Sequence, residues 1–285
     1  MRIGIGSAAL KPWGDEGFKK LRELGFECLD YNICDTNMPL YHVDEGEFCT
    51  ILSQKKKLAE DAGVEISQVH GPWRWPPQDE KKEDREERME KMKKSIRACS
   101  LLGCRYWVVH PLMPFGIHDI GSGNEETTWT INVEFMRELV KTAREFDVVI
   151  CLENMPMPQF SIGAPADIVR LIREIDDDHF MMCLDTGHVA VYPTLRLGDC
   201  VKECRDYLRV LHIHDNNGKA DQHLIPYFGV IDWEDFGKAL HDIDFQGVFS
   251  FETSPSAKLP EPVFYDMCGS LVKIAKHVWG EELQQ

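Results

Sequence analysis

Six apolar, β-rich runs of this chain end in side chains able to bind a metal ion: His70, His110, Glu153, Asp185, His212 or His214, and Glu252. Strand side chains alternate between two faces, so Cys151 and Glu153 point one way and Leu152 the other. Cys183 and Asp185 keep the same phase against Leu184, Ser250 and Glu252 lie opposite Phe249 and Phe251, and His212 lies opposite Leu211 and Ile213. Four strands thus turn an acid or an imidazole to one side while their leucines and phenylalanines are free to meet helices. Any one such acid reads as readily as a helix cap or an ion-pair partner. Several acids converging without basic partners would repel one another and be costly to desolvate, and a divalent cation relieves both penalties. Three carboxylates and one imidazole form a rather hard donor set, which points first to Mn²⁺, with Mg²⁺, Co²⁺ and Zn²⁺ as alternatives.

The elements that must bring these ends together are eight short runs: Arg2–Ser7, Glu27–Asn32, Glu65–His70, Tyr106–His110, Val148–Glu153, Phe180–Asp185, Leu208–His214 and Gly247–Glu252. Each precedes a stretch of helical apolar spacing, such as Phe18, Leu21 and Leu24, or Ile168, Leu171, Ile172 and Ile175. Eight strand-then-helix units in one series predict an α/β fold, a single (β/α)₈ TIM barrel forming one catalytic domain over residues 1–285. Gly25, Gly63, Gly103 and Gly247 stand shortly before strands, where a helix C-terminus favours positive φ. A Pro-rich loop, Gly71–Gln78, and a long loop, Pro111–Thr128, follow strands on the face where barrels build active sites. Trp73 and Trp75 in the first of these either offer their faces to a ligand ring or pack within the loop.

The composition narrows the class. With 43% hydrophobic and 10% aromatic residues the chain has material for a large core. A net charge of -16, from 32 basic and 48 acidic side chains, disfavours a nucleic acid partner. The one dense charge run, Asp79 to Lys94, mixes signs and sets Glu87 with Lys91 and Glu90 with Lys94 at helix-pairing distance, the pattern of a solvated helix face. Ten cysteines are scattered through apolar segments without a CxxC pair or a preceding secretory segment, so a reducing cytoplasm is expected, and Cys200 with Cys204 reads as a helix repeat. No apolar run approaches the roughly 20 residues that span a bilayer.

The segments Leu152-Glu153-Asn154, Leu184-Asp185-Thr186-Gly187-His188, His212-Ile213-His214-Asp215-Asn216 and Phe251-Glu252 resemble the xylose-isomerase-like TIM-barrel superfamily, which contains ketose 3-epimerases, inosose dehydratases and endonuclease IV. The resemblance covers nearly the whole chain. It implies that Glu153, Asp185, His212 and Glu252 bind one metal ion, that Glu153 and Glu252 also form the acid–base pair, and that His188 contacts substrate. Aligning the first histidine of His-x-x-Asp as the ligand selects His212, with His214 a close rival that otherwise reads as a core histidine or a substrate contact. His70, His110, Trp73 and His223 are further candidates for substrate contact; the two strand-end histidines read equally as hydrogen-bonded wall residues, and Asp221-x-His223 equally as a loop-ordering pair.

The same resemblance implies a competitor. The trinuclear zinc set of endonuclease IV has counterparts in His70, His110, Glu153, Asp185, His188, His212, Asp221, His223 and Glu252. The sequence departs from the nuclease pattern after His223, where Leu224-Ile225-Pro226-Tyr227 lacks the second histidine and the glycine-rich continuation. The expectation is therefore a metal-dependent epimerase or isomerase passing through an enediolate on a ketose or related polyol. Alternatives are an inosose- or dehydroshikimate-type dehydratase, a zinc phosphodiesterase acting on abasic DNA, and a non-catalytic sugar-binding barrel. Thr253-Ser254-Pro255-Ser256-Ala257-Lys258 offers no glycine-rich phosphate cradle, so a non-phosphorylated substrate is expected. The sequence leaves open a homo-oligomer and the choice of sugar.

Overall fold

A computed structural model describes residues 1–77 and 79–281. Eight parallel strands form the sheet: β1 (Arg2–Gly6), β2 (Cys28–Asn32), β3 (Glu65–His70), β4 (Tyr106–Val109), β5 (Val149–Glu153), β6 (Phe180–Asp185), β7 (Leu208–His212) and β8 (Val248–Phe251). Their order, β7-β6-β5-β4-β3-β2-β1-β8, wraps the sheet into a nearly closed barrel. The last seam is stitched just beyond the strands, where Ile213 N donates to Ser250 O at 2.9 Å and Glu252 N to Ile213 O at 3.0 Å. The expected (β/α)₈ TIM barrel is the observed fold. The helices that pack around it include α1 (Gly17–Leu24), α2 (Glu45–Ala62), α3 (Lys82–Leu101), α4 (Glu125–Glu145), α5 (Pro165–Ile175), α6 (Thr186–Ala190), α7 (Leu197–Cys204), α8 (Trp233–Asp242) and α9 (Glu261–Val278).

Strand alternation divides the core in two. Ile150, Leu152, Met182, Leu184, Leu211, Phe249 and Phe251 belong to one large apolar cluster with the helices. Val108, Val149, Cys151, Cys183 and Val210 form a separate, smaller cluster. Fully burying one Phe or Leu of the larger layer stabilises the fold by roughly 1.5–3 kcal/mol, so the phase of each strand is strongly set. The barrel interior has to be small-sided. At Gly4 a Cβ would meet Val248 Cγ1 at 2.9 Å and Cys28 Cβ at 3.2 Å.

Gly25, Gly63 and Gly103 adopt left-handed φ of 103°, 70° and 76° as expected, but Gly247 does not. The helix before β8 turns at Asp244 (φ 53°) instead, and Gly247 is needed for close approach, since a Cβ there would lie 2.3 Å from Phe245 Cζ. The long loop after β4 ends sooner than Thr128, because α4 begins at Glu125, with Glu125 and Glu126 favourably placed at its N-terminus. Of the Pro-rich loop, Gln78 lies outside the described residues. The charged run is only in part a solvated face. Glu87 does pair with Lys91 at 2.7 Å, but Lys94 turns inward to the Tyr41 and Val43 carbonyls at 3.3 and 3.2 Å, and Glu90 faces Lys93 instead. Arg88 forms a buried pair with Asp79 at 2.6 Å that ties the Pro-rich loop to α3. Among the described residues no helix is long and apolar enough to cross a membrane.

Candidate metal and active site

The ends of β5, β6 and β7 and the residue after β8 meet at the C-terminal mouth of the barrel. Glu153 is central: Oε2 lies 3.0 Å from His110 Nε2 and 3.5 Å from His70 Nε2, and Oε1 lies 3.0 Å from His212 Nδ1. The same His212 Nδ1 is 3.3 Å from Glu252 Oε2. Glu153, Asp185, His212 and Glu252 each offer one ligand atom, and these four atoms lie within 4.8 Å of one another. His214 takes a different place. Its Nε2 is 3.0 Å from Asp185 Oδ2 and 3.6 Å from Asp221 Oδ1, and its ring stacks on His223 with centroids 4.1 Å apart. His188 Nε2 and His223 Nε2 both approach Asp221 Oδ2, at 3.3 and 3.2 Å, and Trp73 stands edge-on to His110.

Local chemistry holds these side chains in place. Asp185 caps α6, accepting from His188 N at 2.6 Å, so the strand's last residue is also the helix's first polar partner. Asn154 and Asp185 exchange bonds across β5 and β6, side-chain amide to carbonyl at 3.1 Å and backbone N–H to side-chain oxygen at 2.8 Å. Gly187 is required by proximity, since a Cβ there would fall 2.0 Å from His214 Cε1. Behind His212, Nε2 lies 3.1 Å from Asp30 Oδ2, near enough to pair though not aligned as a hydrogen bond, and Gln68 donates to the same Asp30 oxygen at 3.2 Å.

The electrostatics follow from burial and neighbours. Burial alone would raise the Glu153 pKa, but His212 and His110 outweigh it and hold the carboxyl well below its ordinary range. Asp185 is likewise lowered against burial by His188 and His214. Glu252 is pushed up by burial and by the charges of Glu153 and Asp185. Burial opposes protonation of His188 and His223, yet the surrounding carboxylates raise both to about 10, while burial lowers His110 to about 4. The acids Glu153, Asp185, Asp221 and Glu252 thus have imidazoles as their partners, and no Arg or Lys pairs with them in the described residues. A cluster balanced only by imidazole protons fits a divalent cation, which would replace those protons.

A cavity of about 440 Å³ opens over the cluster, bordered by His70, His110, Glu153, His188, His223 and Glu252 with Trp73 and Trp75. His212, His214 and Asp185 are fully buried behind it. Sequence reasoning missed Asp30, Asn32, Met155 and Met157. For Asp30 a signal was present, an acid within an apolar strand; for the two methionines there was none, because loop residues carry no period that tells which way they point.

The family model for the xylose isomerase-like TIM barrel matches residues 18–265. The chain belongs to this family. A D-psicose 3-epimerase from Enterocloster bolteae is 26% identical over 243 residues, covering 82% of this chain and 74% of that one. A probable endonuclease 4 from Mycoplasmopsis agalactiae is 28% identical over 168 residues, covering 54% of this chain and 57% of that one. The crystal structure of the IOLI protein with a bound zinc atom superposes with a TM-score of 0.75 at 18% identity, covering 100% of both chains, a likeness of fold. Relatives within the family thus include both sugar epimerases and endonuclease IV proteins.

Proposed function

We propose that this member of the family is a divalent-metal-dependent sugar epimerase or isomerase acting on a non-phosphorylated ketose or related polyol. The observation that carries the reading is the placement of two glutamates from separate strands, Glu153 and Glu252, within 3.0 and 3.3 Å of one imidazole nitrogen, at the floor of a sugar-sized cavity. The D-psicose 3-epimerase relative supports the same choice. Glu153, Asp185, His212 and Glu252 would hold the ion, Mn²⁺ by preference. When bound, the cation polarises a carbonyl and its neighbouring hydroxyl and stabilises the developing enediolate.

The protein's own groups do the rest. One glutamate removes the proton from the carbon beside the carbonyl, and the other returns a proton from the opposite face, inverting that carbon. Glu153 ends β5 and Glu252 follows β8, and both border the cavity, so the two carboxylates come to a bound substrate from separate strands. His188, His70 and His110 border the cavity and are placed to bond substrate hydroxyls, Trp73 to pack a sugar face, and His223 to fix the loop after β7, while His214 orients Asp185. Return of the proton to the neighbouring carbon gives isomerisation, and a β-hydroxyl placed to leave gives dehydration. The test is solvent deuterium incorporation into D-psicose, D-fructose and D-tagatose with Mn²⁺, read by NMR; no exchange with any sugar or polyol under any of the four metals removes the reading.

A second reading, a zinc phosphodiesterase, is favoured by one observation. His70 and His110 lie against Glu153, and His188 and His223 against Asp221, so all nine donor residues of the nuclease pattern gather at the mouth. The acidic charge of the chain weighs against a DNA partner. Metal analysis separates the two: about one tightly held ion for the epimerase, about three zinc ions with incision of an abasic duplex for the nuclease.

A further inference from the structure

We infer that the N-terminal end of the barrel, opposite the carboxylate cluster, is a binding site for a small hydroxylated phosphate ester. The inference goes beyond the proton-transfer reading and does not rest on it. A cavity of about 390 Å³ opens there, bordered by the first residues of five strands: Arg2 of β1, Glu65 of β3, Tyr106 of β4, Leu208 of β7 and Val248 of β8. Arg105, Arg205 and Arg209 join Arg2 around it, against the carboxylates of Glu65 and Asp244. Four guanidinium groups thus border one hollow of a chain whose net charge is -16. That end of a TIM barrel ordinarily serves stability, so ion pairing is the first explanation to try.

Pairing accounts for one of the four. Arg2 pairs with Glu65. Arg105 stands 3.8 Å from Asp147 and Arg205 3.7 Å from Asp206, both beyond hydrogen-bond length and open to solvent. Arg209 is half-buried, donates to the backbone carbonyls of Asp206 and Leu208 at 3.1 and 3.0 Å, and pairs with no carboxylate among the described residues. Two bulges put side chains here. Met182 faces Leu208 and Cys183 faces Val210, so Arg209 is an extra residue in β7; Leu29 faces Ile66 and Asp30 faces Gln68, so Ser67 is an extra residue in β3. A bulge re-aims the side chain it carries, and both bulged residues border this same cavity.

The ligand's chemistry follows from the groups around it. Arginine presents a planar fork that matches phosphate oxygens two at a time, and no lysine borders the cavity among the described residues. Deeper in, the groups change. Ser67 is 7% exposed and Gln68 is fully buried; Ser67 Oγ, beside the Cys28 thiol, and Gln68 Oε1 are left without a hydrogen bond. Gln68 Nε2 is committed to Asp30 Oδ2 at 3.2 Å and Leu211 O at 3.5 Å, which leaves Oε1 as an acceptor in need of a donor. A bare phosphate dianion cannot supply one. A phosphate ester of a polyol supplies both kinds of group, its phosphate among the arginines at the rim and its hydroxyls at Ser67 and Gln68.

The test is calorimetric titration of the full chain with D-sorbitol 6-phosphate, D-sorbitol and inorganic phosphate, compounds without a carbonyl for the two glutamates to act on. The ester is expected to bind about tenfold tighter than phosphate, and D-sorbitol at least about a hundredfold weaker than the ester. Arg209→Met should weaken ester and phosphate alike by about tenfold, and Ser67→Ala the ester alone by about threefold. Should Arg209→Met fail to fold, Arg105→Gln replaces an exposed side chain and should weaken both by about threefold at an unchanged thermal midpoint. The proposal is overturned by the absence of saturable ester binding at millimolar concentration, by equal affinity for ester and phosphate, or by an affinity that neither arginine variant alters. Binding lost in Glu252→Gln but kept in Arg209→Met would put the ester at the opposite end of the barrel and overturn it as well.

Discussion

At the scale of single residues, the site is a contest between burial and neighbouring charge. Glu153 is 1% exposed and surrounded by His70, His110, His188 and His212, so its carboxylate is held ionised where burial alone would neutralise it. Glu252 has fewer such partners and its pKa moves the other way. Glu252→Gln should lower deuterium exchange into substrate by about 10²- to 10⁴-fold with an unchanged far-UV CD spectrum; wild-type exchange would remove Glu252 from the reaction. Asp30 acts one step back, against the far nitrogen of His212. Asp30→Ala should weaken Mn²⁺ binding about ten- to a hundredfold in a chelator competition, because the imidazole loses the partner that orients it. An unaltered Mn²⁺ affinity would reduce Asp30 to barrel packing.

At the scale of elements, the loop between β7 and α8 depends on one carboxylate. Asp215 accepts from the backbone N–H groups of Tyr227, Gly229, Val230 and Ile231, at 3.0 to 3.3 Å, and from the indole of Trp233 at 3.0 Å. The Trp233 indole is fully buried, and a buried donor left without a partner costs about 1–3 kcal/mol, so Asp215→Ala should destabilise the protein by about 1–3 kcal/mol in urea unfolding. A loss below about 1 kcal/mol would mean that water replaces the carboxylate. The Pro-rich loop is anchored in a similar way, since Asp79 takes Arg88 and also Met113 N at 2.9 Å. Removing one member of a buried pair strands the other, so Arg88→Met should cost about 3–5 kcal/mol and raise the protease sensitivity of the loop that carries Trp73 and Trp75. Stability within about 1 kcal/mol of wild type would show that the pair is dispensable.

At the scale of the whole molecule, the barrel gathers acids that would not otherwise coexist, and the cation that fits among them links binding to stability. If the site holds the proposed cation, metal at a hundredfold excess over its dissociation constant would stabilise the folded state by about 2.7 kcal/mol. Removing it with a chelator should therefore lower the thermal midpoint measurably, and an identical midpoint with and without Mn²⁺ would argue against a built metal site. The net charge of -16 acts in the same direction at longer range, attracting cations to the mouth and repelling polyanions.

The eight-fold strand-helix series and the inward phase of Glu153, Asp185, His212 and Glu252 were determined by sequence alone, because a strand alternates with a period of two and its apolar face must meet a helix. The places of His188, Asp221 and His223 came from family resemblance, since loop and helix-start residues have no such period. Tertiary structure decided the rest. It turned Nδ1 of His212 toward the glutamates and Nε2 toward Asp30, although Asp30 and His212 are far apart in the chain. It also set Trp75 and Met157 on one rim, which depends on how loops after different strands pack over the barrel, and that packing is a property of neighbours brought together by closure rather than of any local pattern.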